Sequence, residues 1–106
     1  MVFVETSVFT RCIRTLLDDE EYRALQWLLV RDAERGSLIP GGGGLRKIRW
    51  MSRSKKKGKS GGIRVIYYVR SKDNLYMIFA YDKTKQNDLS RGQLRQLKAY
   101  VQSGVL

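Results

Sequence analysis

Three strand-like runs constrain this chain most: LRKIRWM (45–51), IRVIYYVR (63–70) and LYMIFAY (75–81), all rich in Ile, Val, Tyr and Phe. The last two are joined by Ser71-Lys72-Asp73-Asn74, a short polar hairpin connection. Local connections of this kind make an antiparallel meander. A strand alternates faces with period two, so Lys47 and Arg49 project from one face and Arg46 from the other.

The flanking segments supply the cover. Met1–Glu5 reads as a short strand through Val2, Phe3 and Val4, and a first helix follows with Phe9, Cys12, Ile13 and Leu16 at i, i+3, i+4 and i+7. Asp18 is placed to cap a second helix, whose acidic first turn, Asp19-Glu20-Glu21, suits the positive end of the helix dipole. Its apolar positions are Tyr22, Leu25, Leu28 and Leu29, and Gly36 is the expected stop. Ser37–Gly44 reads as a loop ending in four glycines. Near the C-terminus, Ser90 and Gln93 form a capping box with Leu89 and Leu94 as its staple, opening a helix with a Leu94, Leu97, Val101 stripe. The expected order is βααβββα: an α+β fold, a small antiparallel sheet packed against helices on one face. At 106 residues the chain forms one domain, 1–106, with about two-thirds of its unfolded surface buried.

Charge is segregated along the chain. The net charge is +11, yet residues 1–35 are net −2 and residues 36–106 net +13. A merely solubilising surface needs no such asymmetry, and nucleic acid is the commonest partner of one. A single cysteine excludes an internal disulfide and fits a reducing cytosol; on the apolar stripe, Cys12 reads as a packed thiol. No run approaches a membrane span and the N-terminus lacks a signal-peptide pattern, so a cytoplasmic protein with no membrane partner is expected.

Several chemistries fail on residue types. With no histidine and one cysteine there is no zinc site, and no acid–base histidine pair for a nuclease. The basic half offers only Asp73, Asp82 and Asp88 to a two-metal centre. No metal and no cofactor is expected. Gly58-Lys59-Ser60 looks like the end of a P-loop, but Arg53 stands where its first glycine belongs and a strand follows instead of a helix.

The loop RSKKKGK (53–59) is the most charged stretch. Arg53, Lys55, Lys56, Lys57 and Lys59 read as a clamp making sequence-blind phosphate contacts, and Lys85 is grouped with them. Lys47, Arg49 and Arg64 differ because strands carry them. If 45–51 and 63–70 pair antiparallel, their charges converge on one phosphate, although a solvated sheet face has the same periodicity. Tyr67, Tyr68 and Tyr81 are candidates to stack on bases, with at least one of Tyr67 and Tyr68 committed to the core.

These residues carry a family likeness. Through FVETSVF, DDEEYRALQ, GGGGLRKIRW, GKSGGIRVIYYV and YDKTKQNDLS, across essentially the whole chain, the sequence resembles the RelE superfamily of bacterial toxins, and most closely its HigB-type branch. The resemblance implies a ribosome-dependent mRNA endonuclease that cleaves the codon in the ribosomal A site without a metal. The 2′-hydroxyl attacks the adjacent phosphate, leaving a 2′,3′-cyclic phosphate and a 5′-hydroxyl. Matched by position, the catalytic candidates are Lys47 and Arg49 on one strand, Arg64 on the next, and Lys83 after the last. The sequence departs from the family at three places: Ser90 near a tyrosine used in proton transfer, Thr84 in place of an arginine, and Arg49 where lysine is common. Arginine is a poor proton shuttle, which leaves Lys47 as the candidate base or acid.

The resemblance also implies a cognate helix-turn-helix, HigA-like antitoxin, through which alone operator DNA is bound. Two other readings compete with the toxin: a non-catalytic module gripping rRNA or structured RNA, and a toxin-like fold retaining only antitoxin binding.

Overall fold

The computed structural model describes residues 1–51 and 62–103. Its order is β1 (Val2–Glu5), α1 (Ser7–Leu16), α2 (Asp19–Arg31), β2 (Ser37–Leu38), β3 (Leu45–Trp50), β4 (Ile63–Val69), β5 (Asn74–Asp82) and α3 (Arg91–Ser103). The α+β class and the expected order hold, with β2 as an addition inside the segment read as a loop. The five strands form one sheet ordered β1-β5-β4-β3-β2. The predicted meander β3-β4-β5 is antiparallel, closed at residues 70–74 by Arg70 N–H donating to Asn74 O at 3.0 Å.

Three expectations are corrected. First, the sheet is not wholly antiparallel: β1 pairs parallel with β5, which its local sequence could not reveal because the pairing spans about seventy residues. Second, the helices do not share one face. Phe9 and Ile13 of α1 and Leu25 and Leu29 of α2 pack with Ile48, Val65, Tyr67 and Met77. Leu97 of α3 packs on the opposite face with Leu45, Ile66, Ile78 and Tyr81. The strands of the meander read apolar on both faces in their middle, as strands covered on both sides must.

Third, α2 ends at Arg31, five residues before Gly36, with Asp32 N–H donating to Leu28 O. The glycine answers a different demand. A Cβ at Gly36 would lie 2.8 Å from the Tyr67 ring and 3.0 Å from Lys47 O. Its N–H donates to the fully buried Tyr67 hydroxyl, which in turn donates to Ala33 O, each at 2.8 Å. Arg46, on this face as predicted, donates to Glu34 O and Gly36 O. The turn out of α2 is thereby tied to β3 and β4.

Caps expected from the sequence are present. Asp18 accepts from Glu21 N–H at 2.8 Å; Ser90 Oγ accepts from Gln93 N–H, and Ser90 N–H donates back to Gln93 Oε1, both at 3.0 Å. Cys12 is half-buried against the α1/α2 core.

β5 carries one irregularity. Ile66 opposes Phe79, but its neighbour Tyr67 opposes Met77, so Ile78 is an extra residue, a β-bulge. Thr6, 7% exposed, serves both sides of it: the hydroxyl donates to Ile78 O at 2.8 Å and accepts Phe9 N–H as the cap of α1. The bulge reverses the alternation of β5. Leu75, Met77 and Ala80 face α1 and α2, whereas Phe79 and Tyr81 face α3. No helix among the described residues is long and apolar enough to cross a membrane.

Candidate active site

The α3 face of the sheet is apolar at one end and charged at the other. Leu45 and Ile66 meet α3, while Lys47, Arg49 and Arg64 share that face further along β3 and β4. Period-two alternation places them, as the sequence predicted. Arg49 lies directly opposite Arg64, and Arg64 opposite Tyr81, making one row across three strands. Lys47 opposes Ile66 in the adjacent row. Like charges set directly opposite one another are disfavoured in a sheet.

The three cations differ in setting. Arg49 is exposed, the Lys47 side chain is one-third exposed, and Arg64 is only 6% exposed. A guanidinium so far removed from water acts on an anion through a lower local dielectric than a surface lysine does. Its space is protected by Gly62, which has φ +103°; a Cβ there would lie 2.8 Å from Met51 Sδ and 3.3 Å from Arg64 Nη1. Gly62 O also accepts the backbone N–H of Lys83 at 3.2 Å, tying that exposed residue to the start of β4. Thr84 closes a turn: its hydroxyl donates to Asp82 Oδ1 at 2.8 Å and its N–H to the same oxygen at 2.9 Å. Lys85 N–H donates to Asp82 O in that turn, leaving the Lys85 side chain exposed.

Tyr81 reaches this face because of the bulge. Tyr81 is 5% exposed and its ring packs against Phe79, so it offers no open ring face for stacking on a base. Burial, and then the neighbouring Asp88 carboxylate, push its pKa up. Tyr67 and Tyr68 are spent on packing, one in each core.

Asp88 is the site residue that sequence reasoning passed over. Its Oδ1 accepts Leu89 N–H at 2.8 Å and lies 3.4 Å from Lys47 Nζ. The Leu89 N–H, followed by the Lys47 ammonium and Tyr81, holds its carboxyl below the usual carboxylate range. Nothing in residues 86–90 signalled this, since Lys47 and Asp88 meet only through the tertiary fold. Ser90, two residues on, is occupied by its capping bonds.

Beside the cations lies a cavity of about 680 Å³ whose walls include Lys47, Arg49 and Asp88 together with Leu38, Pro40 and Leu89. It opens where β2 stops short, since β2 pairs only with Arg46 and Lys47 of β3. Arg53, Lys55, Lys56, Lys57 and Lys59 lie outside the described residues. Among the described residues no group of three or more His, Cys, Asp or Glu side chains is placed to hold a metal ion. What the site offers is concentrated positive charge with a half-polar hollow next to it, chemistry suited to an anionic group. Against known families, residues 2–104 match the model described as the RelE toxin of the RelE / RelB toxin–antitoxin system.

Proposed function

The chain belongs to the RelE family of toxins of toxin–antitoxin systems, and on that premise we propose that it is a ribosome-dependent mRNA endonuclease. RelE-family toxins pair with an antitoxin and act on the ribosome. The substrate in this reading is the mRNA codon in the A site, cleaved by attack of its own 2′-hydroxyl. The observation that carries the proposal is the convergence of Lys47, Arg49 and the buried Arg64 on one sheet face beside Tyr81.

Attack on a phosphodiester puts extra negative charge on the non-bridging oxygens, and fixed cations in a partly dry site stabilise that charge. Arg64 is assigned to the scissile phosphate and Arg49 to the same oxygens from the exposed side. Lys47 is the proton carrier of the set: its ammonium, already paired with Asp88, donates to the 5′-oxygen as it leaves. The proton of the 2′-hydroxyl passes to water or to the ribosome. The new bond joins the 2′-oxygen to phosphorus, and the broken bond releases the 5′-oxygen. This scheme draws its positive charge from side chains and needs no metal. Lys83 and Lys85 flank the site as further phosphate contacts, and Arg53, Lys55, Lys56, Lys57 and Lys59 are assigned to rRNA.

One observation favours the non-catalytic RNA-binding reading. Ser90 is committed to capping α3, so the family's tyrosine has no substitute at that position. Expression without antitoxin separates the two. The proposal expects growth arrest with mRNA cut inside translated codons, and free RNA left largely intact. Lys47→Ala with Arg64→Ala should lower cleavage by about 10²–10³-fold or more. If that double variant is as toxic as the parent, the catalytic assignment is wrong. If the parent binds ribosomes without cutting mRNA, the binding module is right. The antitoxin is expected to be HigA-like, contacting operator DNA on behalf of the complex.

A further inference from the structure

We propose that Asp88 is a positioning residue of the phosphate cradle, a fixed carboxylate that holds the Lys47 ammonium on the working face of the sheet. The inference rests on the catalytic reading of Lys47 given above.

Lys47 stands on the same face as Arg49 and Arg64, and its flexible four-carbon stem would swing away from two like charges if nothing opposed them. Asp88 supplies the opposition, with its Oδ1 3.4 Å from Lys47 Nζ. Most exposed ion pairs of this length are loosely held and contribute little to stability. This carboxylate is anchored. The same Oδ1 accepts Leu89 N–H at 2.8 Å, while the backbone carbonyl of Asp88 accepts the Gln86 side-chain amide at 3.1 Å. That Gln86 amide also donates to Gln93, the capping-box residue of α3. Asp88 is thereby fixed to the start of α3, a helix that is itself seated on the sheet through Leu97 and partly buried Leu94.

The arrangement has a kinetic consequence that a decorative surface pair would lack. Removing the carboxylate frees Lys47 from its position and also deletes a negative charge from the RNA-facing surface. Turnover should therefore fall while ground-state binding of the RNA holds or improves. A misplacement of about 1 Å in a reacting group can cost on the order of 10²-fold in rate.

The test is single-turnover and steady-state cleavage of mRNA on programmed ribosomes by the full chain and its variants. Asp88→Asn is expected to lower kcat by about 10-fold or more, with KM unchanged or lower and the thermal midpoint near that of the parent. Asp88→Glu should recover part of the loss, because the charge returns at a shifted position. In a Lys47→Ala background, Asp88→Asn should add nothing further, since the group it positions is gone. A wild-type kcat in Asp88→Asn, or a full additional loss on top of Lys47→Ala, would overturn the proposal. A parent protein that cuts no mRNA at all sinks the endonuclease reading instead, so the two failures are distinct.

Discussion

The two faces of the sheet use the same strands to opposite ends. Toward α1 and α2, the side chains of β3, β4 and β5 run Ile48, Ile63, Val65, Tyr67, Leu75, Met77 and Ala80, all buried. Of the polar groups on that side, Tyr67 and Arg46 are used up on the turn leaving α2, and Trp50 Nε1 donates to Glu21 Oε2. Toward α3 the same strands present Leu45 and Ile66 at one end and Lys47, Arg49 and Arg64 at the other. α3 covers the apolar end, and the charged end carries the candidate site. One face is built to be stable and the other keeps unfavourable like-charge neighbours. Sites of binding and catalysis are where folds tolerate such conflicts.

That contrast can be broken experimentally. Leu29→Ala, in the fully buried α1/α2 core, should cost about 2–5 kcal/mol of stability. Cleavage per folded molecule should stay near the parent value, checked by urea denaturation alongside ribosome assays at low temperature. If Leu29→Ala abolishes cleavage in molecules that remain folded, the two faces are coupled and the division of labour fails.

A smaller effect of the same kind is expected of Tyr67→Phe. It deletes the hydroxyl bridging Ala33 O and Gly36 N–H in a fully buried position, at a cost of about 1–3 kcal/mol. Calorimetry should show a lowered midpoint with kcat intact. A loss of turnover would mean that the α2 exit sets the position of Lys47 through the neighbouring backbone.

The smallest effect concerns acid. Asp88 has its carboxyl held below the usual range, first by the Leu89 N–H and then by Lys47. A depressed folded-state value means that its contribution is full above the unfolded value of about 3.9 and is lost as pH falls through the folded one. The group is largely exposed, so the contribution is small. Thermal midpoints of the parent and Asp88→Asn should converge as pH drops below about 4. A gap that does not narrow as pH falls would mean that the carboxylate's charge is not what stabilises that corner.

Much of this molecule was legible before its fold was known. The period-two spacing of Lys47 and Arg49, the polar hairpin at 71–74 and the capping box of α3 are local patterns, and local hydrogen bonds or alternation enforce them. Arg64 joined the cations on the single further premise that β3 and β4 pair antiparallel, which they do. Other features rest on contacts far apart in the chain. The α3 cover on the second face, the parallel β1 and the pairing of Lys47 with Asp88 have no short-range signature. Gly36 looked like a helix stop because glycine often is one, but the close approach of Tyr67 explains it.

By itself, then, the sequence determined every element but β2, the segregation of charge and the strand-borne cations, because backbone periodicity and local turn chemistry act within a few residues. Only the tertiary structure decided which side chains share a site. The bulge at Ile78, satisfied by Thr6 from the other end of the chain, turns Tyr81 toward Arg64. The seating of α3 brings Asp88 to Lys47. Both depend on packing between distant segments, where the free energy of burial outweighs anything the local sequence prefers.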